Sequence, residues 1–310
     1  MKTTLLKISK VLGLVTVLLA SGQLQAGDKP VMDVFVLAGQ SNMVGGASYD
    51  SLPGLLEAYA ATNANVTMRT WLNGEEFGED WEPLKPRGAS LNFGPEMMLG
   101  YVLSDIHPER NLAFMKVAYN GTNLGCAWNP KGCGEHLFET LTTLMEVWQE
   151  ELEDDDVIVR FAGFVWVQGE GDCSAQWAAE NYEENLQSLI DGVRDATSDS
   201  NLPVVVAKVR PRTSNYPYVD LVHQGMDNVA VKDPHVATVT CESFELKIDL
   251  VHFTSTGMIN LGSALADTML GLDPFGLAED EVPCASDLNG DGEVNVLDIL
   301  RMISEFGPCP

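Results

Sequence analysis

Apolar positions recur along this chain in two rhythms. Continuous runs at residues 31–37, 112–118, 157–167 and 202–209 are rich in β-branched side chains and have strand length; residues 65–71 form a weaker strand candidate. Between them, residues 95–104, 137–148 and 182–193 carry apolar side chains at i, i+3 and i+4, as in Met97, Met98, Tyr101 and Val102, and predict helices. Strands alternating with helices predict an α/β fold with a parallel sheet covered on both faces. In such sheets ligands bind beyond the carboxyl ends of the strands, so the residues just after each strand are the ones to examine.

The two ends of the chain break this rhythm. Lysines at 2, 7 and 10 precede an apolar stretch at 11–20, interrupted only by Gly13 and Thr16. Small and polar residues then run to Ala26. That order predicts a signal peptide over 1–26, cleaved after Ala26, and hence a secreted protein. The apolar stretch is too short to span a bilayer. Residues 273–283 lose periodicity and read as a linker between a domain over 27–272 and a small segment over 284–310. The acidic run 150–156 reads as a solvated turn.

Composition narrows the partners. With 310 residues and 45% hydrophobic side chains, wholesale disorder is excluded. Eighteen Lys and Arg against 45 Asp and Glu give a formal charge of −27, which disfavours nucleic acid and anionic membranes as partners. Six cysteines in an exported chain favour disulfides. Cys126 with Cys133 and Cys284 with Cys309 are the short-range pairings, leaving Cys173 with Cys241. None has CxxC spacing, which disfavours a zinc cluster.

The strand at 31–37 ends in Ala38-Gly39-Gln40-Ser41-Asn42-Met43. Ser41 is placed either as a nucleophile or as a helix N-cap. A serine nucleophile needs a base, and a base is commonly oriented by a carboxylate. Two tetrapeptides supply that pair: Asp220-Leu-Val-His223 and Asp249-Leu-Val-His252. The first lies in a helical pattern. The second lies in a loop before a helix, where catalytic residues tend to sit, and is preferred. Possible oxyanion donors follow other elements: Gln168 in Gln168-Gly-Glu170-Gly-Asp172, Gly94 in Asn92-Phe-Gly-Pro-Glu96, and the turn Asn120-Gly-Thr122.

Five segments, in order, resemble the sialate O-acetylesterase-like branch of the SGNH-hydrolase superfamily, which includes the acetylxylan esterases of carbohydrate esterase family six. They are Gly39-Gln-Ser-Asn-Met43, Phe93-Gly-Pro-Glu96, Asn120-Gly-Thr122 with Trp128, Trp166-Val-Gln-Gly-Glu170 with Asp172, and Asp249-Leu-Val-His-Phe253. The resemblance implies a three-layer α/β/α sandwich with a five-stranded parallel sheet. It makes Ser41 the nucleophile, His252 the base and Asp249 its partner. The oxyanion would be held by the N–H groups of Ser41 and Gly94 and the side chain of Gln168. Gln40, Asn42, Asn120, Thr122, Trp128, Glu170 and Asp172 would contact or support the substrate. Asn120 departs from the pattern, since relatives often have glycine there. The activity implied is removal of O-acetyl groups from carbohydrate (xylan, sialic acid or another glycan) with no catalytic cofactor. Trp71, Trp81, Trp128 and Trp177 are candidates for stacking on sugar rings.

Near the C-terminus, Asp287, Asn289, Asp291, Asn295 and Asp298 fall at positions 1, 3, 5, 9 and 12 of an EF-hand loop, with Gly292 at 6 and Glu293 at 7. This predicts a Ca2+ site. The loop resembles one repeat of a type I dockerin, which implies a cohesin-like or cell-surface partner; only one repeat is visible. Two other readings compete: a short-chain lipid or aryl esterase, and a calcium-dependent glycan-binding or scaffold protein.

Overall fold

The computed structural model describes residues 29–48, 54, 65–86 and 92–277. The expected signal peptide, the Cys284–Cys309 pairing and the calcium loop lie outside the described residues. At the centre is β1 (Val31–Gly39), buried over nearly its whole length. It pairs in parallel with β6 (Asn111–Ala118) on one side and β7 (Ile158–Val167) on the other. Outward from β6 come β3 (Val66–Leu72), parallel, and β4 (Glu75–Pro83), antiparallel; outward from β7 come β8 (Val204–Lys208) and β9 (Val236–Thr240), both parallel. A two-residue β-ladder, β2 (Ala47–Ser48) with β5 (Asn92–Phe93), stands apart.

Alternation along β1 splits the core into two layers. Phe35 and Leu37 pack with Met97, Leu99 and Leu103 of α2 (Glu96–Ile106) and Leu261, Leu265 and Met269 of α8 (Ser255–Leu270). Val34 and Val36 pack on the other face, against α3 (Leu137–Asp154), α6 (Tyr182–Thr197) and α7 (Val219–Lys232). The result is the expected three-layer α/β/α sandwich.

The sheet has seven strands where five were expected. The five sequence-read strands are β1, β3, β6, β7 and β8. The sixth parallel strand, β9, is short. The seventh, β4, carries Glu75, Glu76, Glu79, Asp80 and Glu82 in nine residues and has no apolar rhythm. It joins β3 through Asn73-Gly74, both at positive φ, the two-residue turn that suits a right-twisted hairpin.

Three further expectations change. The acidic run at 150–156 is mostly helix: α3 continues through Asp154, because Leu152 extends the buried stripe of Leu141, Met145 and Trp148. Residues 273–277 do not begin a linker. Phe275 is buried and meets Phe35 edge-on at 6.0 Å and His107 at 4.7 Å, with the Arg110 guanidinium 4.3 Å from its ring centre. Of the cysteines, Cys126 and Cys133 are bonded, whereas Cys173 and Cys241 are free and buried. Cys173 belongs to the layer of α3, α6 and α7, and Cys241 to the layer of α2 and α8, so the sheet's two faces keep them apart.

Candidate active site

The site is assembled where β1, β6 and β7 end. Gly39 closes β1 with φ +151°, and a Cβ there would come 2.1 Å from the Val167 carbonyl oxygen. Only glycine lets β1 lie this close to β7. Gln40 N–H then donates to Val167 O at 3.1 Å, and the chain turns at once into α1 (Ser41–Val44). Met43 plugs the core beneath, leaving Ser41 half-buried at the edge.

Ser41 Oγ lies 3.0 Å from His252 Nε2, and His252 Nδ1 lies 2.8 Å from Asp249 Oδ2. The other oxygen, Asp249 Oδ1, accepts the backbone N–H groups of Val251 at 2.9 Å and His252 at 3.0 Å. Partial burial raises the Asp249 carboxyl, but these hydrogen bonds and the imidazole outweigh it and bring the pKa down to about 2. The turn is held by Lys247 N–H donating to His252 O at 2.7 Å and Arg212 N–H donating to Leu250 O at 2.8 Å. The alternative pair does not assemble. His223 Nε2 lies 2.9 Å from Val209 O, and Asp220 turns outward to Arg210 at 2.8 Å.

Asn42 ties the serine to the histidine loop. Its Nδ2 donates to Glu170 Oε1 at 2.6 Å and Val251 O at 3.2 Å, and its Oδ1 accepts Phe253 N–H at 3.1 Å. Glu170 opens the short helix α4 (Glu170–Cys173) and is fully enclosed; its Oε2 has no partner. Burial pushes this carboxyl up to about 7, against the lowering pull of its hydrogen bonds and of His252.

Gln168 does not serve as drawn from the resemblance. It is fully buried, and its Nε2 donates to Asp172 Oδ2 at 2.6 Å, Gln40 Oε1 at 3.1 Å and Thr122 O at 3.3 Å. Its own Oε1 accepts the Tyr182 hydroxyl at 3.1 Å. An amide with its donors spent inside the protein braces the site and does not face a substrate. Gly94 is also engaged: its N–H donates to Glu96 Oε1 at 2.9 Å. Glu96 Oε2 in turn holds Lys116 Nζ at 2.6 Å, both side chains being buried, and the same ammonium reaches Val44 O at 3.3 Å. At this edge the N–H groups of Ser41 and Gly121 have no acceptor among the described residues.

Asp172 accepts Leu124 N–H at 2.8 Å and Gly125 N–H at 3.0 Å besides Gln168, and so fixes the loop after β6. Burial raises its pKa despite those bonds. Gln40 Oε1 also accepts Gly171 N–H at 3.1 Å. Thr122 Oγ1 donates to Tyr119 O at 2.9 Å and accepts Trp128 Nε1 at 2.8 Å. Trp128 is wholly buried, 5.3 Å from Trp166, and is therefore no sugar platform. The Asn120 backbone N–H donates to Asn73 Oδ1 at 2.8 Å, and the residue is exposed. Sequence reasoning missed the Glu96–Lys116 pair and the brace role of Gln40. A lysine inside the apolar run Leu112-Ala-Phe-Met-Lys-Val-Ala118 is the signal that could have found the pair. Among the described residues no cluster of three metal-ligating side chains occurs.

A serine, histidine and aspartate joined in that order at the carboxyl edge of a parallel sheet have the arrangement of an ester hydrolase. Residues 31–271 match the family described as carbohydrate esterase, sialic acid-specific acetylesterase, and the chain belongs to that family of carboxylic ester hydrolases. A probable carbohydrate esterase of Arabidopsis thaliana is 25% identical over 252 residues, covering 78% of this chain and 91% of the relative. Among solved structures, one from Arabidopsis thaliana superposes with a TM-score of 0.60 at 24% identity, over 78% of this chain and 98% of that one. A carbohydrate acetylesterase from Xanthomonas citri gives 0.56 at 16% identity, over 76% of this chain and 55% of that one. These two superpositions speak to the fold. No described helix is long and apolar enough to cross a membrane.

Proposed function

We propose that the protein removes O-acetyl groups from carbohydrate through a covalent acetyl-Ser41 intermediate. The observation that carries this is the unbroken chain Ser41 Oγ–His252 Nε2, 3.0 Å, and His252 Nδ1–Asp249 Oδ2, 2.8 Å. Ser41 Oγ attacks the acetyl carbonyl while His252 Nε2 takes its proton. The negative charge that develops on the carbonyl oxygen is met by the free N–H of Ser41, with that of Gly121 on the neighbouring strand end. As the bond to the sugar breaks, His252 returns the proton to the leaving sugar oxygen. Water, deprotonated by His252, then attacks the acetyl carbon, and acetate leaves with Ser41 restored. Asp249, held low in pKa, stays ionised and keeps the imidazole in the tautomer that offers Nε2 to serine.

The N-terminal pattern supports secretion, and the spacing of residues 287–298 supports a Ca2+ loop in the C-terminal segment. Neither bears on the chemistry at Ser41. Acetate release from acetylated xylan and from p-nitrophenyl acetate, by the wild type and by Ser41→Ala, tests the central reading. Release by the wild type alone is expected. Equal release by both proteins overturns the role of Ser41. Hydrolysis of long-chain p-nitrophenyl esters as fast as the acetate would move the reading to a lipid esterase.

A further inference from the structure

The strongest unused feature at the carboxyl edge is Trp177. It lies on α5 (Gln176–Glu180), the short helix that follows Glu170–Cys173. It is 53% exposed and is the only aromatic among the exposed large hydrophobic side chains described. Slightly more than half of this residue's surface therefore faces solvent. The other sequence-read tryptophans differ: Trp128 is buried, and Trp71 and Trp81 pack against the hydrophobic layer of α3.

The exposure of Trp177 is nonetheless built. Its six-membered ring rests on Gly125, where a Cβ would come 2.8 Å from Cζ3 and 3.2 Å from Cη2. Any other residue at 125 would lift the indole off the loop. Gly125 is itself pinned by Asp172, and Asp172 by Gln168, whose amide reaches Gln40 beside the nucleophile. From below, Asn181 Nδ2 donates to Trp177 O at 2.6 Å and fixes the end of the helix. A continuous, mostly buried chain of hydrogen bonds thus runs from the loop under the indole to Gln40, the residue before Ser41.

We propose that Trp177 is a stacking platform for a sugar residue next to the one that carries the acetyl group, so that the preferred substrate is an acetylated oligosaccharide of neutral sugars. This rests on the esterase reading given above and adds the substrate class. The face of a pyranose presents C–H groups that an aromatic π-face attracts, and a planar, pre-positioned ring offers that contact at small entropic cost. The indole rests on Gly125, and Asp172, Gln168 and Gln40 stand in sequence along the hydrogen-bonded path from that glycine to Ser41, so the stacked sugar is distinct from the reacting one. Charge selects among glycans. The chain carries −27, and Glu180 lies on the same helix as the indole, so a polyanionic glycan is repelled where a neutral one is not.

The test compares wild type, Trp177→Ala and Trp177→Phe on acetylated xylohexaose, 9-O-acetyl-N-acetylneuraminic acid and p-nitrophenyl acetate. Trp177→Ala is expected to raise KM for the hexasaccharide about tenfold with kcat unchanged, a shift consistent with one lost stacking contact. Trp177→Phe should restore most of it. All three proteins should hydrolyse p-nitrophenyl acetate alike, since Trp177 stands outside the reacting groups. An unchanged KM for the hexasaccharide in Trp177→Ala overturns the proposal. So does an equal loss on p-nitrophenyl acetate, which would make the residue structural. Wild-type cleavage of p-nitrophenyl acetate and the sialic acid ester, but not of the hexasaccharide, also overturns it while leaving the esterase reading intact. Failure on every substrate would instead fall on the esterase reading.

Discussion

The two halves of the site are built on opposite principles. His252 and Asp249 are about two-fifths exposed, on a turn whose backbone hydrogen bonds are local or reach a neighbouring loop. Gln40, Gln168, Glu170 and Asp172 are almost wholly enclosed and hydrogen-bonded to one another or to the loops that flank them. The relay that would move the proton must meet substrate and water, and so it cannot be deeply buried. The brace must hold two loops at fixed positions, and buried amides and carboxylates do that because each broken hydrogen bond leaves a costly unpaired group. Loss of a relay residue should therefore cost rate with little stability, and loss of a brace residue should cost both.

The sharpest division is expected from Asp249→Asn. It should lower kcat about 10^2- to 10^4-fold, because the amide no longer enforces the imidazole tautomer or balances its charge. Urea denaturation at pH 7 should show a smaller loss than in the brace variants, because the pair is about two-fifths exposed and solvent screens its charges. A large stability loss in this variant would erase the distinction between the halves. In the wild type the sign of the pH effect is set by the lowered Asp249 pKa. Its contribution is present above the ordinary carboxylate range and is lost as pH falls toward about 2.

Next in size, Lys116→Met should destabilise by about 3–5 kcal/mol, since it strands the buried Glu96 carboxylate. Equilibrium unfolding measures this, and adding Glu96→Gln should recover part of the loss. Glu170 gives a slightly smaller effect with a clear sign. Its folded pKa of about 7 exceeds its ordinary 4.5, so the folded state keeps a proton that the unfolded chain gives up. Stability should fall, on the order of 3 kcal/mol, as pH rises from about 4.5 to about 7. Glu170→Gln should flatten that slope, and an unchanged slope would remove Glu170 as its source. The smallest effect is expected from replacing Cys126 and Cys133 together by alanine. Their loop spans a sequence separation of 7, which corresponds to about 2 kcal/mol. Thermal unfolding with and without reductant checks it.

Much of this was legible in the sequence where the signal is local. The buried strands announce themselves as apolar runs, and the choice of His252 over His223 follows from whether the Asp-x-x-His lies in a loop or on a helix face. What was not legible depends on partners far apart in the chain. Gln168 reads as a free donor beside a glycine until Gln40 and Asp172, 128 and 4 residues away, are seen to claim its amide. Gly94 reads as open until Glu96 folds back on it. Cys173 and Cys241 are paired on paper by default, yet the sheet divides them. β4 escaped because its residues are chosen for solvent; it is a strand only because Asn73-Gly74 turns it back along β3.

That last strand has a consequence for behaviour in concentrated solution. A parallel sheet left open at its flank invites a second copy to extend it, backbone to backbone. Here the outermost ribbon carries five carboxylates in nine residues, so two copies brought flank to flank would repel before their amides could meet. The protection is electrostatic and therefore depends on salt. At about 1 M ionic strength, where charges more than about 3 Å apart are screened, self-association should begin at this flank.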